Sequence, residues 1–169
     1  MKKTILNISL TALFAALVTV LTFIHLPIGA NGNYIHFGDA MVYLAACFLP
    51  APFAAAAGAL GGALADYLSG AAQWVLPTVV IKALIALPLS HKSGKIISKR
   101  NVSATLPGAA VTLGGYYLAE VLILGGVWAA PLVMLPMNLI QAAGSIGLFI
   151  VAGAMMDRAG VKSKLRVES

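Results

Sequence analysis

Long apolar stretches, separated by short polar or proline-containing segments, limit this chain to few folds. An apolar run of about twenty residues is long enough to cross a bilayer as a helix. The chain has 169 residues, of which 60% are hydrophobic and 9% charged, and its mean hydropathy is +0.95. Soluble domains are roughly 45–50% apolar and about 25% charged, and disordered chains are more polar still. The sequence therefore predicts an all-α integral membrane protein.

The apolar stretches predict a single domain of six transmembrane helices. We place these helices at residues 5–26, 38–49, 52–70, 74–90, 105–126 and 131–156, followed by a basic tail at 157–169. Prolines 27, 50, 52, 107 and 131 lie at the proposed boundaries, where a helix breaker is expected. Pro136 lies inside the sixth predicted helix and predicts a kink. The second helix spans only about 18 Å, so residues 38–70 could instead form one re-entrant hairpin.

Basic residues indicate how the chain is oriented. Ten of the eleven lie in three clusters, at residues 2–3, 92–100 and 158–166. Each cluster flanks an apolar stretch, which is where the positive-inside rule places cytoplasmic charge. We therefore expect both termini and the 91–101 loop to face the cytoplasm, a requirement that six crossings or four would satisfy. These clusters contain no interleaved aromatic residues, so nucleic-acid binding is not predicted.

Charged residues within the apolar spans point to a polar cavity. Asp39, Asp66, Lys82 and Glu120 each cost about 2.5–3.5 kcal/mol at the centre of a membrane helix. The predicted topology places all of them in the outer half of the membrane, with Lys82 about 12 Å deep and Glu120 about 9 Å deep. A cavity open to the outside explains this one-sided distribution. A buried ion pair between Lys82 and Glu120 is the alternative.

Further polar and aromatic residues are expected at the same depth. They are Tyr34, His36, Trp74, Tyr116, Asn138 and Gln141. Trp74 and the tyrosines could instead form an interfacial aromatic belt, and His36 could serve only to hydrogen-bond its loop. A lysine, several acids, two amides and aromatic rings suit a small planar ligand with hydrogen-bonding groups.

Motifs of catalysis or nucleotide binding are missing from the sequence. Neither a zinc-protease motif nor a nucleophile elbow occurs, and Ser93-Gly94-Lys95-Ile96 lacks the upstream glycine of a phosphate loop. The single cysteine, Cys47, cannot form an internal disulfide. We therefore expect neither an enzyme nor a bound cofactor or metal, and any pumping energy must come from a partner or an ion gradient.

Small residues recur on two of the predicted helices. Helix three carries Ala54, Gly58, Gly62, Asp66 and Gly70 at intervals of four residues. Such a face lets helices approach closely within a membrane, and we expect it to pack inside the protein. Helix one carries a second face.

That second face consists of Ala12 and Ala16, with Ala15 beside them. It could pack internally or against another protein.

Three segments resemble a known family. They are GNYIHFGD at 32–39, GGALADYLSG at 61–70 and WVLPTVVIK at 74–82. They are similar to the substrate-binding (S) components of energy-coupling factor (ECF) vitamin transporters, and most similar to the riboflavin-type branch. The resemblance extends from the first helix to about Asp157.

The resemblance implies a six-helix subunit of a prokaryotic plasma membrane that captures a vitamin from outside. Such a subunit pairs with a membrane T subunit and two cytoplasmic ATPases, and topples to release its cargo. The family's alanine motif maps onto Ala12 and Ala16, its outer loop onto residues 28–37, and Thr78 joins the expected site. A pyrimidine or pyridine vitamin fits these residues, and a flavin is possible.

A secondary transporter is the main alternative. In that case Asp66 or Glu120 would bind a proton or a sodium ion, and no ATPase would be needed. Such proteins often contain inverted repeats and broken helices at the midplane, and we find no convincing internal repeat in this sequence. A membrane enzyme acting on lipids would need a cytoplasmic acidic or histidine cluster, which the sequence does not contain.

Overall fold

A computed structural model describes residues 2–24, 26–27 and 34–167 as a predominantly helical protein. Its helices are α1 (Lys2–Phe23), α2 (Gly38–Phe48), α3 (Ala51–Leu68), α4 (Val75–Ala86), α5 (Lys99–Ile123), α6 (Leu135–Arg158) and α7 (Val161–Val167). Short 3-10 turns at Ala72–Trp74 and Ala130–Val133 precede α4 and α6. Two-residue strands, β1 (Leu26–Pro27) and β2 (Tyr34–Ile35), pair antiparallel between α1 and α2.

Among the residues that the structure describes, three helices are long and apolar enough to cross a membrane. They are Lys3–Phe23, Lys99–Ile123 and Leu135–Arg158, while Gly38–Phe48 and Ala72–Ala86 are shorter apolar helices. The described part of the chain is thus helical and apolar, as expected of a membrane protein.

Helix α2 forms the centre of the bundle. Every residue from Gly38 to Cys47 is buried, and α1, α3, α4 and α6 all pack against it. A helix that is buried all round needs no polar face, which explains why α2 is apolar along its length apart from Asp39 and Tyr43. The core cluster continues from α2 into the buried side chains of Val18, Ile85 and Phe149.

Glycines on α3 allow its neighbours to approach closely. A Cβ atom added at Gly61 would lie 2.5 Å from the backbone oxygen of Ala15 on α1. At Gly58 it would lie 2.8 Å from the backbone oxygen of Lys82 on α4. Ala54, Gly58 and Gly62 of the predicted small-residue face are buried inside the protein, whereas Gly70 lies beyond the end of α3 and is exposed.

Several helices differ from their predicted boundaries: α1 ends at Phe23 and α4 at Ala86, three and four residues before their predicted ends. Helix α5 begins at Lys99, six residues earlier than expected, because the Ser98 side chain caps it by accepting a hydrogen bond from the Asn101 backbone N–H at 3.2 Å. Pro107 therefore lies inside α5 and not at its boundary. Helix α6 begins at Leu135, so Pro136 falls in its first turn, where its missing N–H is tolerated. The kink predicted at Pro136 was wrong.

The predicted basic tail also contains a helix. Residues Val161–Val167 form α7, which follows a turn at Gly160 with φ of 65°. Glycine is the residue that adopts this left-handed conformation most readily. Helix α7 packs on α6 at the end of the bundle that also holds Lys3 and the connection at residues 87–98. We call this the basic end.

Candidate functional site

A cavity of about 310 Å³ lies at the opposite end of the bundle, which we call the cavity end. The approach to α2, the end of α3, the start of α4, the last turns of α5 and the first turns of α6 meet there. Ten of the described side chains line the cavity: His36, Asp66, Trp74, Thr78, Tyr116, Glu120, Met134, Met137, Asn138 and Gln141. Segments far apart in the sequence therefore converge on one space.

The structure brings together eight of the eleven residues expected in the site. These eight are His36, Asp66, Trp74, Thr78, Tyr116, Glu120, Asn138 and Gln141. Asp39 and Lys82 do not line the cavity. The Tyr34 side chain lies outside the described residues, and so do residues 28–33 of the expected outer loop.

Sequence reasoning missed two methionines of the cavity wall. Met134 and Met137 precede Asn138 and Gln141 at positions that place all four on one side of the chain as it enters α6. That spacing is the signal that could have found them. Their flexible, polarizable side chains adapt to the outline of a bound ring.

Lys82 and Asp39 form a buried ion pair. The Lys82 ammonium donates to Oδ1 of Asp39, and the Thr112 hydroxyl donates to Oδ2 at 3.1 Å. Lys82 is 0% and Asp39 1% exposed. The pairing of Lys82 with Glu120, considered from the sequence, was wrong. Because α2 occupies the centre of the bundle, its first turn faces α4 and supplies the nearer carboxylate.

Tyr116 connects this ion pair to the cavity. The Lys82 ammonium lies 5.8 Å from the centroid of the Tyr116 ring, within the range of a cation–π interaction. The Tyr116 and Thr78 hydroxyl oxygens are 3.1 Å apart. The Trp74 and Tyr116 ring centroids are 6.0 Å apart, at an interplanar angle of 54°. Two aromatic rings thus form one wall of the cavity, and the contacts with Lys82 and Thr78 hold Tyr116 in place.

His36 and Gln141 join the approach of α2 to α6. The His36 backbone N–H donates to Oε1 of Gln141 at 3.2 Å. Nδ1 of His36 accepts a hydrogen bond from the Gly38 backbone N–H at 3.4 Å. His36 therefore orders its own segment, as the alternative interpretation of this residue predicted, and it also lines the cavity.

Asp66 has a buried oxygen that the chain itself leaves unpaired. Its Oδ2 is inaccessible to solvent and has no hydrogen-bond partner within the described ranges. Thr78, whose hydroxyl oxygen lies 3.1 Å from that of Tyr116, lines the same cavity. Buried polar atoms in native proteins almost always have a partner, so the unpaired oxygen singles out Asp66 among the side chains that line the cavity.

The arrangement suits binding. Apolar and aromatic walls with a few placed polar groups are typical of small-molecule sites, whose volumes are about 300–1,000 Å³. Within the part of the chain that the structure describes, no group of three or more histidine, cysteine, aspartate or glutamate side chains could hold a metal ion.

Two comparisons with known proteins bear on this site. Residues 2–158 match the family model described as "ECF-type riboflavin transporter, S component". The chain is also similar to an uncharacterized protein from Pyrococcus woesei, with 34% identity over 110 residues that cover 64% of this chain and 74% of that protein. The family match includes every residue that lines the cavity.

Proposed function

Because the chain belongs to the family of S components of ECF-type riboflavin transporters, we propose that it captures a pyrimidine, pyridine or flavin vitamin, or a precursor of one, with high affinity from outside the cell. Members of this family are substrate-binding subunits of vitamin transporters in the cell membrane and are not enzymes. Vitamin uptake through an ECF transporter is therefore the general function of this chain.

The convergence of the cavity residues carries the proposal. Polar and aromatic side chains from five segments line one space at one end of the bundle. Three aromatic or heteroaromatic rings, two carboxylates and two amides would hold a small planar molecule. The ion pair of Lys82 with Asp39 lies outside the cavity, next to Tyr116, and would support the cavity wall through the Tyr116 ring.

Six membrane crossings, with both termini in the cytoplasm, are part of the proposal. Successive helices from α1 to α6 run in opposite directions between the basic end and the cavity end, which supports this topology. The clusters at residues 92–100 and 158–166 flank the basic end of α5 and α6, and clustered Lys and Arg favour the cytoplasmic side. The cavity would then open to the outside.

Coupling to partners would use the outer face of α1. Ala12 and Ala16 are exposed, while Ala15 is half-buried on the side that packs against α3. Two small residues one turn apart leave room for a helix of another protein. We propose that this face docks on the membrane T subunit, and that two cytoplasmic ATPases supply the energy for release.

Transport with and without the partner subunits tests the function. The purified chain should bind its vitamin without ATP, and mass spectrometry should identify the molecule that co-purifies with it. In proteoliposomes, uptake should require the T subunit, both ATPases and ATP. Uptake by the chain alone, driven by a proton or sodium gradient, would contradict the proposal and support the secondary-transporter alternative.

A further inference from the structure

We propose that the cargo is a single-ring nitrogen heterocycle with an amino or ammonium group, and that this group binds Asp66. The inference rests on the proposed function and narrows the cargo of the same cavity. It excludes the three-ring flavin that gives the family its description. The balance of charge, the unpaired oxygen of Asp66, and the size and walls of the cavity all support it.

Acceptors outnumber donors on the cavity wall. Asp66 and Glu120 are acidic, whereas His36 is the only basic residue among the lining side chains that the structure describes. Nδ1 of His36 already accepts a hydrogen bond from the backbone of Gly38. Lys82, the nearest ammonium group, belongs to the ion pair with Asp39. A ligand that brings donors or positive charge complements such a wall, and a ligand rich in carbonyl groups does not.

Asp66 supplies the point of attachment. Its Oδ2 is buried without a hydrogen-bond partner in the described segments of the chain, and Asp66 lines the cavity. An unsatisfied buried carboxylate oxygen carries a desolvation cost that a ligand N–H would remove. Hydrogen bonds between an ammonium group and a carboxylate are also about twice as strong as those between neutral groups.

The size and walls of the cavity favour one ring over three. Its volume of about 310 Å³ lies at the lower limit of small-molecule sites, which are about 300–1,000 Å³. The Trp74 and Tyr116 rings are tilted by 54°, so they cannot both stack flat on one extended ring system. A single ring can lie against one of them and meet the edge of the other. A cationic ring gains further from these aromatic faces.

Matched ligand pairs test the proposal. Pyridoxamine and pyridoxine share a ring and differ in an ammonium group against a hydroxyl. The vitamin precursor 4-amino-5-hydroxymethyl-2-methylpyrimidine and its 4-oxo analogue form a second pair, and riboflavin is the fifth probe. Calorimetric titration of the full-length chain should show that the amino member of at least one pair binds about tenfold or more tightly than its partner and than riboflavin.

Two matched variants assign the preference to one carboxylate. Asp66→Asn should reduce the amino preference to within about threefold, because an amide can donate to the hydroxyl or oxo member. Glu120→Gln makes the same chemical change at a half-buried position on the same wall and should lower the amino preference by less than Asp66→Asn does. Without ligand, Asp66→Asn should melt no lower than the wild type, since it removes an unpaired buried charge. A lower melting temperature would assign Asp66 to the scaffold and overturn the proposal.

The outcomes separate this inference from the proposed function. Tighter binding of riboflavin, or of a hydroxyl or oxo member, would overturn the inference and leave vitamin capture intact. An amino preference that persists in Asp66→Asn would overturn the role of Asp66. If none of the five probes binds, the co-purified molecule decides: a vitamin without an amino group refutes only the inference, and the absence of any bound vitamin refutes both.

Discussion

The two ends of this bundle treat buried polar groups in opposite ways. At the basic end, Asn101 is 0% exposed, and its Oδ1 accepts the Ser90 backbone N–H at 3.0 Å. Its Nδ2 donates to the backbone oxygens of Ser90 and Ile96, at 3.2 and 3.1 Å. The Asp157 carboxylate accepts the backbone N–H groups of Ile96 and Ile97, at 2.8 and 2.9 Å. Side-chain hydrogen bonds thus hold in place the connection at residues 87–98, which has no regular secondary structure.

At the cavity end, the polar groups face an open space. Asp66 keeps one oxygen unpaired within the described residues, and Glu120 and Asn138 are half-buried on the wall. Hydrogen bonds that a chain makes with itself hold a fold together, whereas unpaired polar groups around a cavity favour a ligand. The hydrogen bonds of the basic end therefore stabilise the fold, and the polar groups of the cavity end are available to the proposed ligand. Substitutions can separate these two roles.

The largest expected effect is on uptake, at a site remote from both ends. Ala12→Trp combined with Ala16→Trp should abolish transport and association with the T subunit, because two indoles would prevent the close approach of a partner helix to the exposed alanine face of α1. None of the ten cavity side chains belongs to α1. Ligand affinity should therefore change by less than about tenfold, or about 1.4 kcal/mol. Uptake assays and calorimetry on the same preparation measure the two effects.

A matched variant controls for bulk in the bilayer. Leu64→Trp on α3 also changes an exposed apolar side chain, 49% accessible, and should leave uptake unchanged. Normal transport by the double alanine variant would show that this face is not the docking surface. Loss of ligand binding would show that α1 shapes the cavity indirectly.

The next largest effect concerns stability beneath the cavity. Lys82→Met should lower the free energy of unfolding by about 3–5 kcal/mol, because it leaves the Asp39 carboxylate buried without its ammonium partner. Adding Asp39→Asn removes the uncompensated charge and should recover part of that loss. Thermal unfolding in detergent measures both variants. Wild-type stability together with lost ligand affinity would mean that Lys82 serves the ligand and not the scaffold.

This ion pair also shows how far the sequence could predict the fold. The apolar runs and prolines located the helices, because a bilayer demands long apolar segments. They could not show that α2 is enclosed by four neighbours, since enclosure depends on how the helices are arranged around one another. The start of α5 was misplaced for a different, local reason. A local cap at Ser98 outweighs the boundary signal of Pro107.

The site was more predictable than the pairing of its charges. The cost of a charge in a membrane made Asp66 and Glu120 conspicuous, and the topology gave each of them a depth. Depth alone does not give the direction in which a side chain points around its helix. The sequence analysis therefore considered only Glu120 as the partner of Lys82, whereas the structure supplies Asp39. Met134 and Met137 carry no charge, and methionine is ordinary in an apolar span. Only their spacing relative to Asn138 and Gln141 could have indicated them.

A pair of asparagines tests the contrast between the ends directly. Asn101→Ala should destabilise the protein by about 3 kcal/mol, because it leaves buried backbone groups of Ser90 and Ile96 unpaired. Asn138→Ala, on the cavity wall, should change stability by less than about 1 kcal/mol and should weaken ligand binding. Melting curves of both variants measure the change in stability, and titrations measure the change in ligand affinity. If Asn138→Ala destabilises the protein as much as Asn101→Ala does, the cavity end is a structural clamp as well.

The smallest expected effect comes from two neighbouring tyrosines. Tyr116→Phe removes the hydroxyl that lies 3.1 Å from that of Thr78 but keeps the ring beside Trp74, so ligand affinity should fall by about 0.5–1.5 kcal/mol. Tyr117→Phe removes a hydroxyl that donates to the backbone oxygen of Trp128 at 2.7 Å, outside the cavity. Calorimetry should show weaker binding in the first variant and wild-type affinity in the second. Equal affinity loss in both would mean that the last turns of α5 respond to any lost hydrogen bond, and the cavity wall would then not be a separate functional unit.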